Sequence, residues 1–408
     1  MDKVRIGVVG VSGRGRGLMG LLLGMPDVEV VGVSDLYADR LAQARNDVIE
    51  KRGNTPMACS DFRELLDIKD LDAILTASSW TAHAEICIAS MEAGKYVATE
   101  VGGATSVEQC WELVRVSERT KIPCMLLENC CYGREELTIF NMVKQGMFGE
   151  LVHAEGGYEH DLRDEICNGR ENRHYRLANY SNRNGEVYPT HELGPIAKCL
   201  GINRGNRMIS LTATASKARG LHAWLEKNRG PQYDLYNRQF TMGDVVTTVI
   251  KCAHGETIVL THDTTLPRPY SRGNRIQGTK GIWMEDKYGV YFDGVSPTPH
   301  AWESLNNYYE KYEHPLWKWY RSEGVKGGHG GMDYLVLRAF VEAVKAGTQT
   351  PIDVYDTAAW MAVTCLSEDS IAMGSAPVAV PDFTNGKWFQ REPPVLGKYC
   401  LEEVCPAE

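Results

Sequence analysis

The chain has 408 residues, 43% of them hydrophobic and 24% charged. That is too long for one typical domain and is the composition of an ordinary globular protein. Its net charge of −9, with lysines and arginines scattered, argues against nucleic acid and against an anionic membrane surface as partners. No apolar run approaches the ~20 residues of a membrane-spanning helix.

The opening segment, MDKVRIGVVG, passes directly into a strand and carries no export signal. A cytoplasmic location is therefore expected, unless a leader has been removed. The run VRIGVVG is a strand, VSGRGRGLMGLLLGM a glycine turn leading into a helix, and VEVVGVSD a second strand ending at Asp35. Strand, glycine turn, helix, strand and acid are the order of a dinucleotide-binding unit. Gly10 permits the tight turn, and Gly15 lets the helix approach the strand. The helix start then presents unpaired N–H groups and a positive dipole end to a pyrophosphate. From Gly10 the motif reads G-x-S-x-x-G, with Ser12 in place of the second glycine; serine is small enough for a phosphate to come close. Asp35 predicts NAD over NADP, because a carboxylate accepts from ribose hydroxyls and repels a 2′-phosphate. Its alternative role is to cap the next helix.

Strands and helices keep alternating: LDAILTASS, WTAHAEICIASMEAGK, YVATEV, SVEQCWELVRVSERTK and IPCMLLEN. This predicts a Rossmann domain over residues 1–130, a doubly wound parallel sheet whose site lies at the C-terminal strand ends. Those ends carry Trp80 and His83, Glu100 and Val101, and Glu128 and Asn129. Asn129 is read as a contact on the nicotinamide side. His83 is either part of that site or a helix residue without a ligand.

The character then changes. NGEVYPTHELGP sets Tyr188 three residues before His191, with Pro189 between them. A helix started by proline would aim both side chains to one side, which makes either a catalytic pair or a plain helix start. ELVHAEGGYEHDLR, RMISLTATASKA, DVVTTVIKCAHGETIVLTHDTT and RIQGTKGIWMEDKYGVYFDG read as strands with alternating faces, hence a large, mostly antiparallel open sheet. A hairpin is expected around His254-Gly255. GGMDYLVLRAFVEAVKAG is an amphipathic helix with Leu337, Val341 and Val344 on one stripe, and DTAAWMAVTCLSEDSIAMG is another. Residues 131–408 thus form a second, α+β domain, whose late helices are expected to pack back on its sheet or on the first domain. Twelve cysteines are scattered without a CxxC pair or zinc-ligand spacing, so they read as reduced thiols, and no metal site is expected.

The glycine loop, Asp35, the EV strand end and the antiparallel second half resemble the glucose–fructose oxidoreductase/inositol dehydrogenase/MocA family. Most members end the fifth Rossmann strand in Glu-Lys-Pro, and the lysine works with a histidine in alcohol oxidation. This chain has TEVGG there, Glu100-Val101-Gly102. The strings LLENCCYGREELTIFNMVKQGMFGEL, RNGEVYPTHELGPIAKCLGINRGNR, THDTTLPRPYSRGNRIQGTKG, YEHPLWK, GGHGGMDY and PVAVPDFTNGKW are similar to glycoside hydrolase family 109, which includes NAD-dependent α-N-acetylgalactosaminidases. The resemblance runs from the N-terminus to about residue 390. It implies cofactor contacts at Arg14, Gly15, Asp35, the turn of Trp80, Thr81, Ala82 and His83, Glu100, Val101 and Asn129. It implies sugar contacts at Arg176, the segment Tyr188, Pro189, Thr190 and His191, and Tyr270. Two departures are Ser12 and the absence of the twin-arginine export signal many members carry.

The implied activity is hydrolysis of N-acetylhexosaminides, α-N-acetylgalactosaminides first among them. The implied route is transient oxidation at C-3, elimination of the aglycone, addition of water and re-reduction, with NAD tightly bound and recycled. His191 is assigned the main acid/base role, because imidazole titrates near neutrality. Tyr188 assists it, Tyr270 and Arg176 hold the sugar, and His329 of the glycine-rich GGHGG segment is assigned to the substrate pocket. His262 and His314 are read as structural. The alternatives are a sugar dehydrogenase of the wider family, against which the missing lysine counts, and a sugar or nucleotide sensor, which has no need of Tyr188, His191 and Tyr270. A homo-oligomer through the open sheet is expected.

Overall fold

The computed structural model describes residues 2–391, 395 and 397–402. It divides into two compact units: one runs to Arg134 and includes His314–Ala358, and the other comprises Glu135–Glu313 and Ala359–Arg391.

The first unit holds a six-stranded parallel sheet of β1 (Val4–Val9), β2 (Val28–Ser34), β3 (Met57–Cys59), β4 (Ala73–Thr76), β5 (Tyr96–Thr99) and β6 (Cys124–Leu126), in the order β3-β2-β1-β4-β5-β6. Strand order reverses between β1 and β4, which opens a crevice at the C-terminal strand ends. The strands are nearly continuous apolar runs because helices cover both faces of such a sheet; all four residues of β4 are buried. The helix Met332–Ala346, expected to have one apolar stripe, is buried at every position from Leu335 to Val341. It packs on β1 and on the helix Gly13–Leu22 within this unit, so a single stripe would not suffice. Arg338 is tolerated there because it pairs with Asp27 through two contacts of 2.7 Å.

The second unit holds a nine-stranded sheet of β7 (Leu151–Glu159), β8 (Met208–Ala215), β9 (Val245–Cys252), β10 (Thr257–Asp263), β11 (Arg275–Gly278), β12 (Gly281–Met284), β13 (Gly289–Phe292), β14 (Glu303–Ser304) and β15 (Val378–Ala379). Their order is β14-β13-β12-β11-β7-β10-β9-β8-β15. Only β7 and β10 pair in parallel; the other neighbours are antiparallel. The expected hairpin joins β9 to β10, with Gly255 at φ +103° in its turn.

The register explains the alternation. Leu211, Ile250, Ile258, Ala154, Ile276, Trp283 and Val290 form one continuous row across seven strands. All seven are buried. The neighbouring row, Thr212, Val249, Val259, Glu155 and Arg275, faces the other way and stays partly open. A two-residue period puts one set in the core and the other in solvent. The helix Thr190–Cys199 lies on the buried face at β7. A Cβ on Gly156 would stand 2.7 Å from Glu192 Cβ and 3.1 Å from Ile196 Cδ1, so the glycine sets how closely this helix approaches the sheet.

Candidate active site

The dinucleotide loop has the features a diphosphate needs. Gly10 sits at φ +82°, and a Cβ on it would stand 2.6 Å from the Ser78 backbone nitrogen. A Cβ on Gly15 would stand 1.8 Å from the Gly10 carbonyl oxygen. Neither position accepts a side chain. Ser12 caps the helix Gly13–Leu22 through its backbone and makes no side-chain capping bond. No atom would come within 4 Å of a Cβ on Gly13, so the approach to the helix start is clear. Asp35, at the end of β2, accepts from Val11 N (2.9 Å) and Tyr37 N (3.0 Å). Its carboxylate is thereby pinned beside the glycine loop, with lone pairs left for ribose hydroxyls. These residues fit a bound dinucleotide.

The strand ends supply the rest. Arg14 spans to Glu100, which accepts from its Nε at 2.9 Å and its Nη2 at 2.7 Å. The other Glu100 oxygen accepts from Val101 N at 2.9 Å. Arg14 also donates to Asp333 at 2.7 and 3.0 Å, and Asn129 Nδ2 donates to Asp333 at 2.7 Å. Burial works against charge on Arg14, but the two carboxylates hold it firmly protonated. Burial likewise raises the Asp333 carboxyl, yet hydrogen bonds from His329 and Arg14 keep it well below the usual carboxylate range.

Val101, in the place of the family lysine, is buried. A Cβ on the following Gly102 would stand 2.2 Å from Trp80 Cδ1. The Trp80 indole fills that space, and Trp80 itself is buried at the first turn of the helix Trp80–Glu92. Thr81 and Ala82 on the same turn are more open. His83 is buried, with Nε2 3.1 Å from the Ser78 carbonyl oxygen. Burial pulls its pKa down to about 4, so it is a neutral imidazole at neutral pH.

In the second unit the Tyr188–His191 segment begins the helix Thr190–Cys199, with Pro189 as its N-cap. The two rings lie 4.9 Å apart, edge to face. Tyr158 joins them from β7, 4.4 Å from the Tyr188 ring and 5.6 Å from the His191 ring. The Arg176 guanidinium stands 5.2 Å from the Tyr188 ring and 5.9 Å from the Tyr158 ring, and donates to Glu165 at 3.1 Å. A permanent positive charge thus sits beside both phenols. The Tyr158 hydroxyl lies 3.3 Å from His160 Nδ1, and the His160 ring meets Tyr270 edge-on at 5.1 Å. Burial, then the charge of Arg176, lowers the His160 pKa. Tyr270 is 53% exposed, which suits a rim position.

Beneath this cluster lies a buried polar group. Glu186 and His262 are almost wholly buried. Glu186 accepts from Tyr188 N at 3.3 Å. His262 is the register partner of Tyr158, and its Nε2 lies 2.9 Å from the Tyr180 hydroxyl. His262 Nδ1 stands 3.3 Å from Glu186, without the alignment of a hydrogen bond.

Residues 4–127 match the oxidoreductase family with an NAD-binding Rossmann fold, and residues 132–390 match the glycosyl hydrolase 109 C-terminal domain. The chain belongs to glycosyl hydrolase family 109. An α-N-acetylgalactosaminidase of Tannerella forsythia is 40% identical over 96% of this chain and 88% of its own length. A family 109 protein of Stenotrophomonas maltophilia is 43% identical over 96% of this chain and 91% of its own. Among solved structures, levoglucosan dehydrogenase with NADH and levoglucosan has a TM-score of 0.71 at 18% identity, over 93% of this chain and 100% of that one. The myo-inositol 2-dehydrogenase of Lactobacillus plantarum has a TM-score of 0.66 at 15% identity, over 93% and 100%. These two share the fold. As a family 109 member with its NAD-binding domain, the chain is an NAD-dependent glycosidase.

Sequence reasoning assigned Tyr188, His191 and Arg176 to one site and passed over four further residues, three of them in the second unit and Asp333 in the first. Tyr158 and His160 alternate on YEH, a two-residue spacing that keeps both on one face of a strand. Asp333 follows His329 by four residues, the spacing of helix neighbours. Glu186 sits two residues before Tyr188 and has no such pattern. His329, assigned to the sugar by sequence, has its contacts in the first unit: Asp333 at 2.8 Å and Arg14 at 3.4 Å. Among the described residues, no helix is long and apolar enough to cross a membrane.

Proposed function

We propose that this enzyme hydrolyses N-acetylhexosaminides, with α-N-acetylgalactosaminides as the preferred class, and that the Tyr158–Tyr188–His191 cluster performs the proton transfers. The observation that carries this reading is the packing of two phenols and an imidazole beside the buried, permanently charged Arg176. The α-N-acetylgalactosaminidase of Tannerella forsythia, 40% identical, supports the sugar class.

Bound NAD would supply a reversible oxidation at C-3 of the sugar. His191 takes the proton of the C-3 hydroxyl and later returns it. Once C-3 is a ketone, the C-2 proton is acidic, and Tyr188 or Tyr158, acting as its phenolate, removes it. Arg176 stabilises the negative charge that develops there. Loss of the aglycone from C-1, addition of water there, return of a proton to C-2 and re-reduction of C-3 complete hydrolysis, and Tyr270 flanks the departing group. Because the cycle is redox-neutral, NAD held by the first unit would end each turnover in its starting oxidation state and would not need replacement.

The second reading is a plain sugar dehydrogenase. Val101 and the Trp80-filled space beside it count against that, since no lysine reaches the sugar from this strand end. One assay separates the two. A nitrophenyl α-N-acetylgalactosaminide is incubated in deuterated water. Release of nitrophenol with deuterium at C-2 and no net NADH is expected; net NADH without aglycone release would overturn the glycosidase reading.

The partly open row with Val249 and Val259 supports pairing of subunits through the outer sheet face. The described cysteines are all buried and none forms a disulfide, which supports a reducing, cytoplasmic setting.

A further inference from the structure

We propose that the glycine-rich loop Gly327–Gly331 belongs to the cofactor site, with His329 meeting the diphosphate side of the dinucleotide and Asp333 positioning it there. The inference rests on the NAD-binding assignment of the first unit and not on the identity of the sugar.

The loop is built for contact with something outside the protein. Its residues from Gly327 to Gly330 are exposed, and the His329 side chain is 59% exposed, so no packing requirement asks for a histidine. Its shape is nonetheless specified. Gly327, His329, Gly330 and Gly331 all have positive φ, from +50° at His329 to +100° at Gly331. Histidine adopts that region less readily than glycine, yet it is held there between glycines. The Tyr320 hydroxyl accepts from Lys326 N at 2.7 Å and lies 2.6 Å from the Lys326 carbonyl oxygen, which anchors one end. A Cβ on Gly331 would stand 2.5 Å from Val325 Cγ1, and one on Gly327 2.9 Å from Leu21 Cδ2. Gly327 therefore lies against the last turn of the helix Gly13–Leu22, and the loop reaches back to Arg14 near its start.

His329 Nδ1 is fastened to Asp333 at 2.8 Å and lies 3.4 Å from Arg14 Nη1. Arg14 is the second residue of that same helix. With Nδ1 engaged, Nε2 is the ring atom that can meet a ligand. The contacts explain why a further donor is useful. Arg14 already faces two carboxylates, Glu100 and Asp333, so its charge is offset before a doubly negative group arrives. His329 offers a ring nitrogen, Nε2, beside it. Asp333 ties it to Arg14 and Asn129, and so sets one geometry for residues drawn from two strand ends, the glycine loop and this late segment.

The test uses the full chain and measures NAD binding directly, by NAD retained on purification and by calorimetric titration after its removal. His329→Asn and His329→Gly both tolerate the left-handed backbone, so either keeps the loop foldable. Each is expected to weaken NAD and ADP-ribose about tenfold, the scale of one charge-assisted hydrogen bond, and to leave adenosine within twofold. Asp333→Asn should weaken NAD at least as much, and adding His329→Asn to it should change little further. Unchanged NAD affinity in both His329 variants would overturn the proposal. So would an equal loss for adenosine, or a higher KM for the glycoside with NAD affinity intact, which would return His329 to the sugar. Because binding is read without turnover, a parent chain that binds NAD but cleaves no glycoside would sink the glycosidase reading and leave this one standing.

Discussion

The two units build their sites by different means. The first starts from backbone, a helix start and glycines where a side chain cannot fit, within the first 35 residues, and adds side chains from strand ends and from Asp333. The second uses side chains that come from Tyr158 on a strand, Arg176 and Tyr188–His191 on and before helices, and Tyr270 on a loop. A backbone site is a local motif and tolerates little change in shape. A side-chain site is spread over more than a hundred residues, and single substitutions can remove its chemistry while the fold stays.

The sharpest way to break this contrast is His191→Ala. Loss of a general acid/base costs roughly 10²–10⁴ in rate, so release of nitrophenol should fall by that factor. Calorimetric NAD affinity should not change; a parallel loss of NAD would mean the two sites are not separable. Gly15→Ala should do the opposite. Its Cβ would meet the Gly10 carbonyl oxygen at 1.8 Å, so retained NAD should be lost, with a destabilisation of about 1–3 kcal/mol from overpacking. A melting curve and the NAD content of the purified protein check both.

The units should also differ in their response to pH. Burial lowers His83 and His314 in the first unit to about 4. A histidine with a depressed folded pKa binds fewer protons than the unfolded chain, so stability is lost as pH falls from about 6.5 toward 4. In the second unit burial, reinforced by Glu136 and Glu285, pushes the Glu135 carboxyl up to about 7. Its folded form binds more protons than the unfolded chain between 4.5 and 7. The stability it contributes is full below 4.5 and lost as pH rises through 7. Glu135→Gln should flatten that loss, by on the order of 1 kcal/mol after allowing for its partial exposure, in melts at pH 5 and 7.5. An unchanged slope would sink the assignment. The smallest effect is expected from Tyr270→Ala. Because Tyr270 is half exposed, KM should rise a few-fold with kcat nearly intact.

Much of the first unit was legible because a parallel sheet buried on both faces demands apolar strands, and because a phosphate-binding turn demands glycines at set positions. Gly10, Gly15 and Asp35 are read directly from such rules. Glu100 and Asn129 were placed at strand ends but without partners: Glu100 is held by Arg14, and Asn129 donates to Asp333, some two hundred residues further along the chain. The antiparallel sheet was equally legible from its alternation. The Tyr188–His191 pair was visible, but as an ambiguous helix start. What the structure adds is that Gly156 sets how closely the helix Thr190–Cys199 lies on β7, that Tyr158 meets both rings, and that Arg176 stands beside Tyr188.

By itself the sequence determined the local matters: which runs are strands or helices, where the glycine turn lies, and that a nucleotide is bound. Periodicity, steric exclusion and backbone hydrogen bonding act over a few residues, and they leave their mark in the order of residue types. Tertiary structure alone decided which charges neutralise one another and which rings touch. By sequence Arg14 was expected to meet the cofactor and His329 the sugar, with nothing along the chain to link the two. Asp333 joins both, because attraction between opposite charges depends on distance in space and leaves no pattern along the chain.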